Sequence, residues 1–417
     1  MKQKLKQLKP LFTNNMGANV ASAQPKEAKA SVPSWYGSLQ TFVQSPNTAV
    51  WSGRDYRKFA DEAYRRNVVA NRAVSLIAMG VANCSLLAFQ TTNEGVREEV
   101  MMHPMLHLLH NPNPMQGKYQ FLETLISYYL LAGDAFILSV NASDSPPREL
   151  HLLRPDRIKV VAGKNSVPQG YIYKNDVSEK YYKVDMLSGA SKILHIKQFN
   201  PLNDWHGLAS VEPAAYAIDQ HNQAAAWNQA LLQNGARPSG ALVVASNEQG
   251  SRLSEEQYWR LKNQIDEQFS GAQNAGRPLL LEGGLEWKEM SLSPRDMDFL
   301  NIKHSAARDI ALAFGVPPQL LGIPGDNTYS NLAEARLSLW GQTILPLTSL
   351  ILTSLARYLN PLFGSNLELE IDMDNISALS LRRDKLWQQV KGADFLTADE
   401  NGKCLDLGIK QKIFFIT

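Results

Sequence analysis

The 417-residue chain contains little cysteine and almost no surplus charge of either sign. Its two cysteines, Cys84 and Cys404, form neither a CxxC pair nor a disulfide ladder, which fits a reducing compartment and argues against structural zinc. Its 42 Lys and Arg residues against 40 Asp and Glu residues give a net charge of +2. The chain therefore lacks the basic excess of a protein that holds nucleic acid or anionic lipid by charge alone.

Export and membrane signals are also weak. The lysines at the start of the chain precede no apolar stretch, so we expect no export signal. Two uncharged windows, 73–93 and 337–356, are long enough to span a membrane. Polar residues interrupt both windows, and we therefore interpret them as buried segments of a soluble fold rather than as parts of a membrane-associated scaffold.

Catalytic motifs are scarce. The segment nearest to a phosphate-binding loop, Gly271 to Pro278, lacks both the lysine and the metal-binding hydroxyl that such a loop needs. The chain contains no Gly-x-Ser-x-Gly elbow and no HExxH motif. We expect that the protein is not an enzyme and has no catalytic residues, metal or other cofactor.

The main alternative is a metal-assisted hydrolase. His103, His107 and His110 could share one helical face, and Asp372 and Asp374 could project from one side of a strand. Half-buried structural histidines are the more common outcome.

Two other polar groups have simpler structural interpretations. We expect the acidic strand to pair with basic residues of a neighbouring subunit, such as Arg382, Arg383 and Lys385. The triplet Asp204-Trp205-His206 favours a structural turn.

Periodicity predicts an α+β first half after a flexible arm over residues 1–56. Helices are predicted over 61–81, 104–110 and 119–132, and strands over 84–91 and 135–140. Short strands are predicted across 150–199.

The second half is mainly helical. An alanine-rich helix is predicted over 210–233, and a small module follows with strands over 240–245, 278–282 and 285–292 around a helix over 254–269. A helix over 296–314, a Gly/Pro-rich loop over 315–327 and a helix over 329–359 kinked at Pro346 come next. A one-sided strand over 367–374 and short helices over 376–407 complete the prediction.

Eight sequence strings occur in the order in which one family carries them. They are HPMLHLLHNPNP, FLETLISYYLLAGDAFIL, LHLLRPDRIKVV, GLASVEPAAYAIDQ, LLLEGGLEWKEMSLSPRDMDFL, DIALAFGVPPQLLG, TYSNLAEA and FLTADENGKCLDLG. In these strings the chain resembles the portal (head-to-tail connector) proteins of tailed double-stranded DNA phages, in the branch shared with prophages and gene transfer agents. The resemblance covers most of residues 57–408.

The resemblance implies an α+β portal fold with wing, helical stem, α/β clip, tunnel loop, long kinked helix and small helical crown. The implied boundaries are 57–209 and 329–376 for the wing, 210–235 and 294–314 for the stem helices, 236–293 for the clip, 315–328 for the tunnel loop and 377–417 for the crown.

The resemblance also implies the function and the partners. Portal subunits form a ring, usually of twelve, at one capsid vertex, and double-stranded DNA is packaged and ejected through it without sequence preference. The implied partners are the terminase large subunit, a head-tail adaptor and the major capsid protein, with no membrane. The implied location is the virion, and the bacterial host cytoplasm during assembly.

Three groups of site residues follow from the resemblance. The channel-facing loop group is Gln319, Leu320, Leu321, Gly322, Ile323, Pro324, Gly325, Asp326, Asn327 and Thr328. The stem-lining group is Arg295, Asp298, Lys303 and Arg308, and the clip docking group is Glu255, Glu256, Arg260, Lys262 and Glu267. We expect the loop to offer apolar bulk and flexibility to passing DNA without anchoring it.

Overall fold

The computed structural model is described over residues 55–92, 95–141, 146–163, 167–233, 240–244, 254–256, 258–260, 262–263, 285–289, 299–325, 329–380 and 387–388. Helices and short antiparallel sheets alternate within these ranges, which confirms the predicted α+β class. The first helix begins at Tyr56, inside the range predicted as an arm. The predicted strand over 278–282 and nearly all of the predicted C-terminal helices lie outside the described residues.

The longer helices lie before residue 133 and after residue 214, and most of the described strands lie between these two groups. The helices are α1 (Tyr56–Lys58), which continues as a π-helix (Phe59–Arg65), α2 (Val68–Ala82), α3 (Pro104–His110), α4 (Lys118–Ala132), α5 (Ala215–Gln233), α6 (Phe299–Ala313), α7 (Tyr329–Leu339), a second π-helix (Trp340–Ile344) and α8 (Leu345–Phe363). The strands are β1 (Leu86–Thr91), β2 (Arg97–Glu99), β3 (Asp134–Val140), β4 (Glu149–Leu153), β5 (Ile158–Val161), β6 (Gly170–Lys174), β7 (Glu179–Lys183), β8 (Ile193–Lys197), β9 (Gly240–Val244), β10 (Leu285–Glu289) and β11 (Leu367–Ile371).

The described strands form small antiparallel sheets. Their orders are β11-β1-β2, β4-β3-β8 and β5-β6-β7, and β9 pairs with β10 as a separate two-stranded sheet. The predicted alternation in β11 is confirmed, because Leu367 and Leu369 are buried while Glu368 and Glu370 are exposed. The strand ends at Ile371, before the predicted end, because the Asp372 carboxylate accepts the backbone N–H of Asp374 and forms a turn.

The core lies where α2 packs against α4. Ala73 and Ile77 of α2 and Leu125 and Ile126 of α4 are fully buried, and α8 joins them through Leu355. Each buried Leu or Ile stabilises the fold by about 1.5–3 kcal/mol relative to an exposed one.

A buried asparagine interrupts the helix predicted over 61–81. The Asn67 side-chain oxygen accepts the N–H groups of Val69 (3.1 Å) and Ala70 (3.0 Å) and so caps α2. Its Nδ2 donates to the Asn222 side-chain oxygen on α5 at 3.0 Å. The prediction of one continuous helix is wrong because apolar spacing continues across a cap that a tertiary hydrogen bond stabilises.

The alanine-rich helix α5 also begins later than predicted. Residues 210–214 form turns, in which the N–H of Ala214 reaches the carbonyl of Val211 and the N–H of Ala215 reaches the carbonyl of Glu212. Pro213 lies within these turns and has no N–H to donate. The helix therefore starts at Ala215 rather than at Ser210.

The irregularity predicted in the long helix is a π-helix directly before Pro346. The N–H of Leu345 bonds to the carbonyl of Trp340, five residues back, and Pro346 has no N–H for Gln342. The helix ends at Phe363 rather than Leu359. The span Asn331–Phe363 is long and apolar enough to cross a membrane, but its buried face packs into the core, which accounts for that composition.

Two glycines fix the end of α4 against the chain that leads into α5. Gly133 adopts φ 76°, and a Cβ added there would lie 2.6 Å from the carbonyl carbon and oxygen of Gly207. The N–H of Gln198 donates to the carbonyl of Gly133 at 2.8 Å. No side chain fits between these backbones.

We predict that Gly133→Ala lowers the unfolding midpoint far more than Gly189→Ala. Both glycines have a left-handed φ, 76° and 72°, but a Cβ at Gly189 would meet nothing within 4 Å. Gly189→Ala should cost only the backbone strain of about 1–2 kcal/mol, whereas Gly133→Ala adds a steric clash. Thermal and urea unfolding of both variants test this, and equal losses would show that the close approach is unimportant.

Candidate functional site

The loop predicted to face a channel is fixed at its base to two helices. Gly315 turns the chain out of α6 with φ 65°, and its carbonyl accepts the hydroxyl of Thr343 at 2.7 Å. The N–H of Val316 bonds back to the carbonyl of Ala311. A 3-10 turn over Pro318–Leu321 follows and ends at Gly322, where φ is 71°.

The next loop residues lie against α6. Ile323 is 5% exposed and packs with Ala307 and Ala311, and the Arg308 guanidinium donates to the carbonyl of Pro324 at 2.7 Å. Ile323 is thus not presented as apolar bulk, contrary to the sequence-based expectation. Gly322, Pro324 and Gly325 are exposed, Gln319, Leu320 and Leu321 are half-buried, and Asp326, Asn327 and Thr328 lie outside the described residues.

Helices α5 and α6 pack against each other, and both bury alanines. Ala306 and Ala307 of α6 and Ala217 and Ala224 of α5 are buried. Of the stem-lining group, Arg308 is exposed and Lys303 is half-buried, while Arg295 and Asp298 lie outside the described residues.

Lys303 also contributes to the electrostatics between the two helices. Burial lowers the pKa of His221 on α5, and the positive charge of Lys303 lowers it further. A neutral His221 is suited to its contact with the Asn67 amide, at 3.2 Å.

The clip docking group is exposed where it is described. Glu255, Glu256, Arg260 and Lys262 lie along one short helical segment, and Glu267 lies outside the described residues. Between them Tyr258 and Trp259 are each 53% exposed, with ring centroids 5.7 Å apart. The Lys262 ammonium lies 4.9 Å from the Trp259 ring centre, which favours a cation–π contact. The aromatic pair was not singled out from the sequence.

Two of the three histidines of the hydrolase alternative make hydrogen bonds that stabilise α3. His103 caps α3 by accepting the N–H of Met105, and the His110 Nδ1–H donates to the carbonyl of Leu106. With His107 they line an open groove of about 690 Å³. Among the described residues, no group of three or more His, Cys, Asp or Glu side chains is placed to hold a metal ion.

The acidic side of β11 pairs with an arginine of the same chain. Arg97 of β2 contacts Glu368 at 3.3 Å and Glu370 at 2.5 Å, and its guanidinium lies 4.0 Å from the centre of the Phe89 ring. The predicted partners Arg382, Arg383 and Lys385 lie outside the described residues. Asp372 is used in the turn that ends the strand.

A buried aspartate with two histidines was missed in the sequence. Asp134 accepts hydrogen bonds from His195 Nε2 (2.8 Å), His206 Nδ1 (3.0 Å) and the N–H of Gly207 (2.8 Å). His206 therefore pairs with Asp134, 72 residues earlier in the chain. A histidine within the apolar strand segment ILHIK was the available signal, because a buried histidine needs a partner.

The hydrogen bonds to Asp134 join β3 to β8 and to the chain that leads into α5. Asp134 and His195 have side chains that are 5% and 8% exposed, and the His195 ring stacks on Phe136 with centroids 4.3 Å apart. Burial alone would raise the pKa of Asp134, but hydrogen bonds from His195 and His206 outweigh it and lower that pKa. Burial lowers the pKa of His195 despite its bond to Asp134.

We predict that acid weakens the fold through this cluster. Because the folded-state pKa of His195 is below its ordinary 6.5, its contribution is complete above pH 6.5 and is lost as the pH falls below that value. The contribution of Asp134 is complete above its ordinary 3.8 and is lost below it.

Unfolding midpoints measured from pH 7 to pH 5 test the His195 contribution. His195→Gln, which cannot titrate, should flatten the decline. His151→Gln, at a half-buried histidine that contacts Glu149 at 2.7 Å, is the matched histidine-to-glutamine control. An undiminished slope in His195→Gln would contradict the assignment.

The comparisons with known proteins agree with one another. The family model for the phage portal protein matches residues 68–402. An uncharacterized protein of Rickettsia bellii (strain RML369-C) is 44% identical over 361 residues, which are 87% of this chain and 91% of that protein. The portal protein of Enterobacteria phage HK97 is 26% identical over 350 residues, 80% of this chain and 77% of that protein.

A solved structure gives the same result. A chain in the neck of a native gene transfer agent (GTA) particle, computed with C12 symmetry, is 41% identical to this chain. The match has a TM-score of 0.65 and covers 86% of this chain and 95% of the other.

Proposed function

Because the chain belongs to the phage portal protein family, we propose that it forms a ring of about twelve subunits in the neck of a phage or GTA particle. Double-stranded DNA passes through this ring at one capsid vertex during packaging and ejection. The observation that carries the proposal is the 41% identity, over nearly the whole chain, to a chain in a neck computed with C12 symmetry.

The predicted domains supply the parts of this channel. Residues 57–209 and 329–376 form the wing, 210–235 and 294–314 the stem, 236–293 the clip, 315–328 the tunnel loop and 377–417 the crown. The packing of α5 on α6, both of which bury alanines, supports the stem assignment, since a slender helix pair allows many copies to surround a narrow channel.

The charges of the described stem residues suit a wall that guides DNA without holding it. Duplex DNA carries one negative charge per about 1.7 Å, so several free cations at one level would bind it strongly. Arg308 keeps its positive charge while it donates to the carbonyl of Pro324, and Asp309, the next residue on the exposed side of α6, adds one negative charge nearby.

Family membership argues against the hydrolase alternative. Portal proteins are structural components of phage and GTA particles, so the chain is not an enzyme. The histidine roles described above give the alternative no support.

We predict that the purified full-length chain assembles into rings with a central opening wide enough for duplex DNA. Mass photometry gives the number of subunits, and negative-stain imaging shows the opening. A stable monomer, or a particle with no opening, would contradict the proposal.

The clip carries the docking of the terminase large subunit and, later, of a head-tail adaptor. The described clip residues expose two cations beside an aromatic pair, a combination common in binding hot spots. The wing faces the major capsid protein, and assembly takes place in the bacterial host cytoplasm.

We predict that Arg260→Glu with Lys262→Glu weakens binding of the terminase large subunit about tenfold or more, because it reverses charge at the docking surface. The matched control is Lys180→Glu with Lys183→Glu on β7, which changes the net charge equally at exposed positions of the wing. Binding is measured by surface plasmon resonance on rings checked by imaging. Equal weakening in both variants would indicate a general charge effect and refute docking at this surface.

A further inference from the structure

The open groove beside α3 is bounded by exposed methionines. Its lining includes Leu86 and Leu87 at the start of β1 and Val100 after β2. Met101 and Met102 also line it and are 79% and 92% exposed. Contiguous exposed apolar surface is typical of interaction sites, and methionine is common on surfaces that bind other chains. The groove therefore has the character of a docking surface.

The groove also runs along the edge of a sheet. In the order β11-β1-β2, β2 is the outer strand of the described sheet. The pairing continues past β2, because the N–H of Val100 donates to the carbonyl of Ala88 at 2.8 Å. Residues 99–102 of this edge all line the groove. An edge of this kind can bind an added segment through backbone hydrogen bonds.

The charged side chains around the groove are mainly acidic. β2 and β11 flank β1 and together carry four glutamates and one arginine. Glu99 lines the groove, and Glu370 lies opposite the groove residue Leu87 in the register of β1 and β11. Arg97 contacts Glu368 and Glu370, so its positive charge is already paired with acidic side chains. The groove therefore suits an occupant that is both apolar and basic.

Residues 1–12 have this composition and contain no acidic residue. Their lysines and large aliphatic and aromatic residues are Lys2, Lys4, Lys6, Lys9, Leu5, Leu8, Leu11 and Phe12. Residues 409–417 are also apolar and basic, but they carry two lysines rather than four. Charge complementarity therefore favours residues 1–12 as the occupant.

The described chain begins close enough for residues 1–12 to reach the groove. Tyr56 contacts Tyr128 in the second half of α4, with ring centroids 6.4 Å apart. At the other end of α4, Lys118 donates to the carbonyl of Cys84 at 2.8 Å, two residues before Leu86 of the groove. The 15 residues of α4 span about 22 Å. Residues 13–54 can span roughly 140 Å when extended, which is far more than this separation requires.

We propose that residues 1–12 dock in the groove of their own chain, beside the edge strand β2. Their leucines and Phe12 cover Met101 and Met102, and their lysines face Glu99 and the glutamates of β11. The docked segment shields both the apolar surface and the strand edge from other chains. The docking is independent of the proposed ring, because every residue that it uses lies in one chain.

Hydrogen–deuterium exchange of the full-length protein tests the docking. Deletion of residues 2–12 should speed exchange in the peptide spanning 97–107 about threefold or more, because its backbone loses the covering segment. Lys4→Glu with Lys6→Glu should have the same effect, because it places like charges beside Glu99. Deletion of residues 409–417 is the matched control and should leave this peptide unchanged.

Two results of this measurement would overturn the docking. One is unchanged exchange in the 97–107 peptide after deletion of residues 2–12, which is expected if that segment binds DNA or an anionic membrane instead. The other is an equal increase after deletion of residues 409–417. Neither result bears on ring assembly, so failure of the docking is distinguishable from failure of the channel proposal.

Disulfide formation tests the contact and the choice of chain. In a Cys404→Ser background, where Cys84 is buried, Leu8→Cys with Met102→Cys should form a disulfide within one chain. It should form at least fivefold faster than Leu8→Cys with Leu187→Cys, since Leu187 is 99% exposed in a turn after β7 and does not line the groove. Non-reducing gels and peptide mass spectrometry identify the linked residues. Equal rates for the two pairs, or links only between two chains, would refute the proposal.

Discussion

The contact between the backbones of Gly133 and Gly207 is the constraint on which the arrangement of the molecule depends. It places the end of α4 and the start of β3 against the chain that leads into α5. Asp134, the next residue, then reaches His195 on β8 and the N–H of Gly207. Helix, sheet and connecting chain thus meet at one buried point, and the direction in which α5 leaves is set there.

The sequence contained enough information for the elements but not for their junctions. The alternation in β11 and the positions of α3 and α4 follow from local periodicity and were predicted. The break between the first π-helix and α2 was not predicted, because Asn67, which caps α2, also donates a hydrogen bond to Asn222, 155 residues later. The glycine pair escaped prediction for the same reason, since only the tertiary contact reveals why a side chain is forbidden.

In the candidate site, too, the sequence predicted the position of the loop but not the direction of its side chains. Glycine and proline locate the loop correctly, because Gly315 and Gly322 do adopt left-handed backbone. The direction of Ile323 could not be predicted, because an apolar loop residue has the same composition whether it faces a channel or its own helix. Its burial depends on Ala307 and Ala311, whose small side chains leave room for it on α6.

Rotational symmetry gives small charge differences a large effect in the proposed ring. Each exposed charge on a stem helix is repeated about twelve times at one height, so a single unbalanced arginine would surround the DNA with about twelve positive charges and hold it in a strongly salt-dependent way. In the proposed stem, Asp309 follows Arg308 directly on the exposed side of α6, so each copy contributes one acidic and one basic side chain near that height. A chain whose net charge is only +2 can therefore surround a polyanion closely and still let it slide, provided that the cancellation is local.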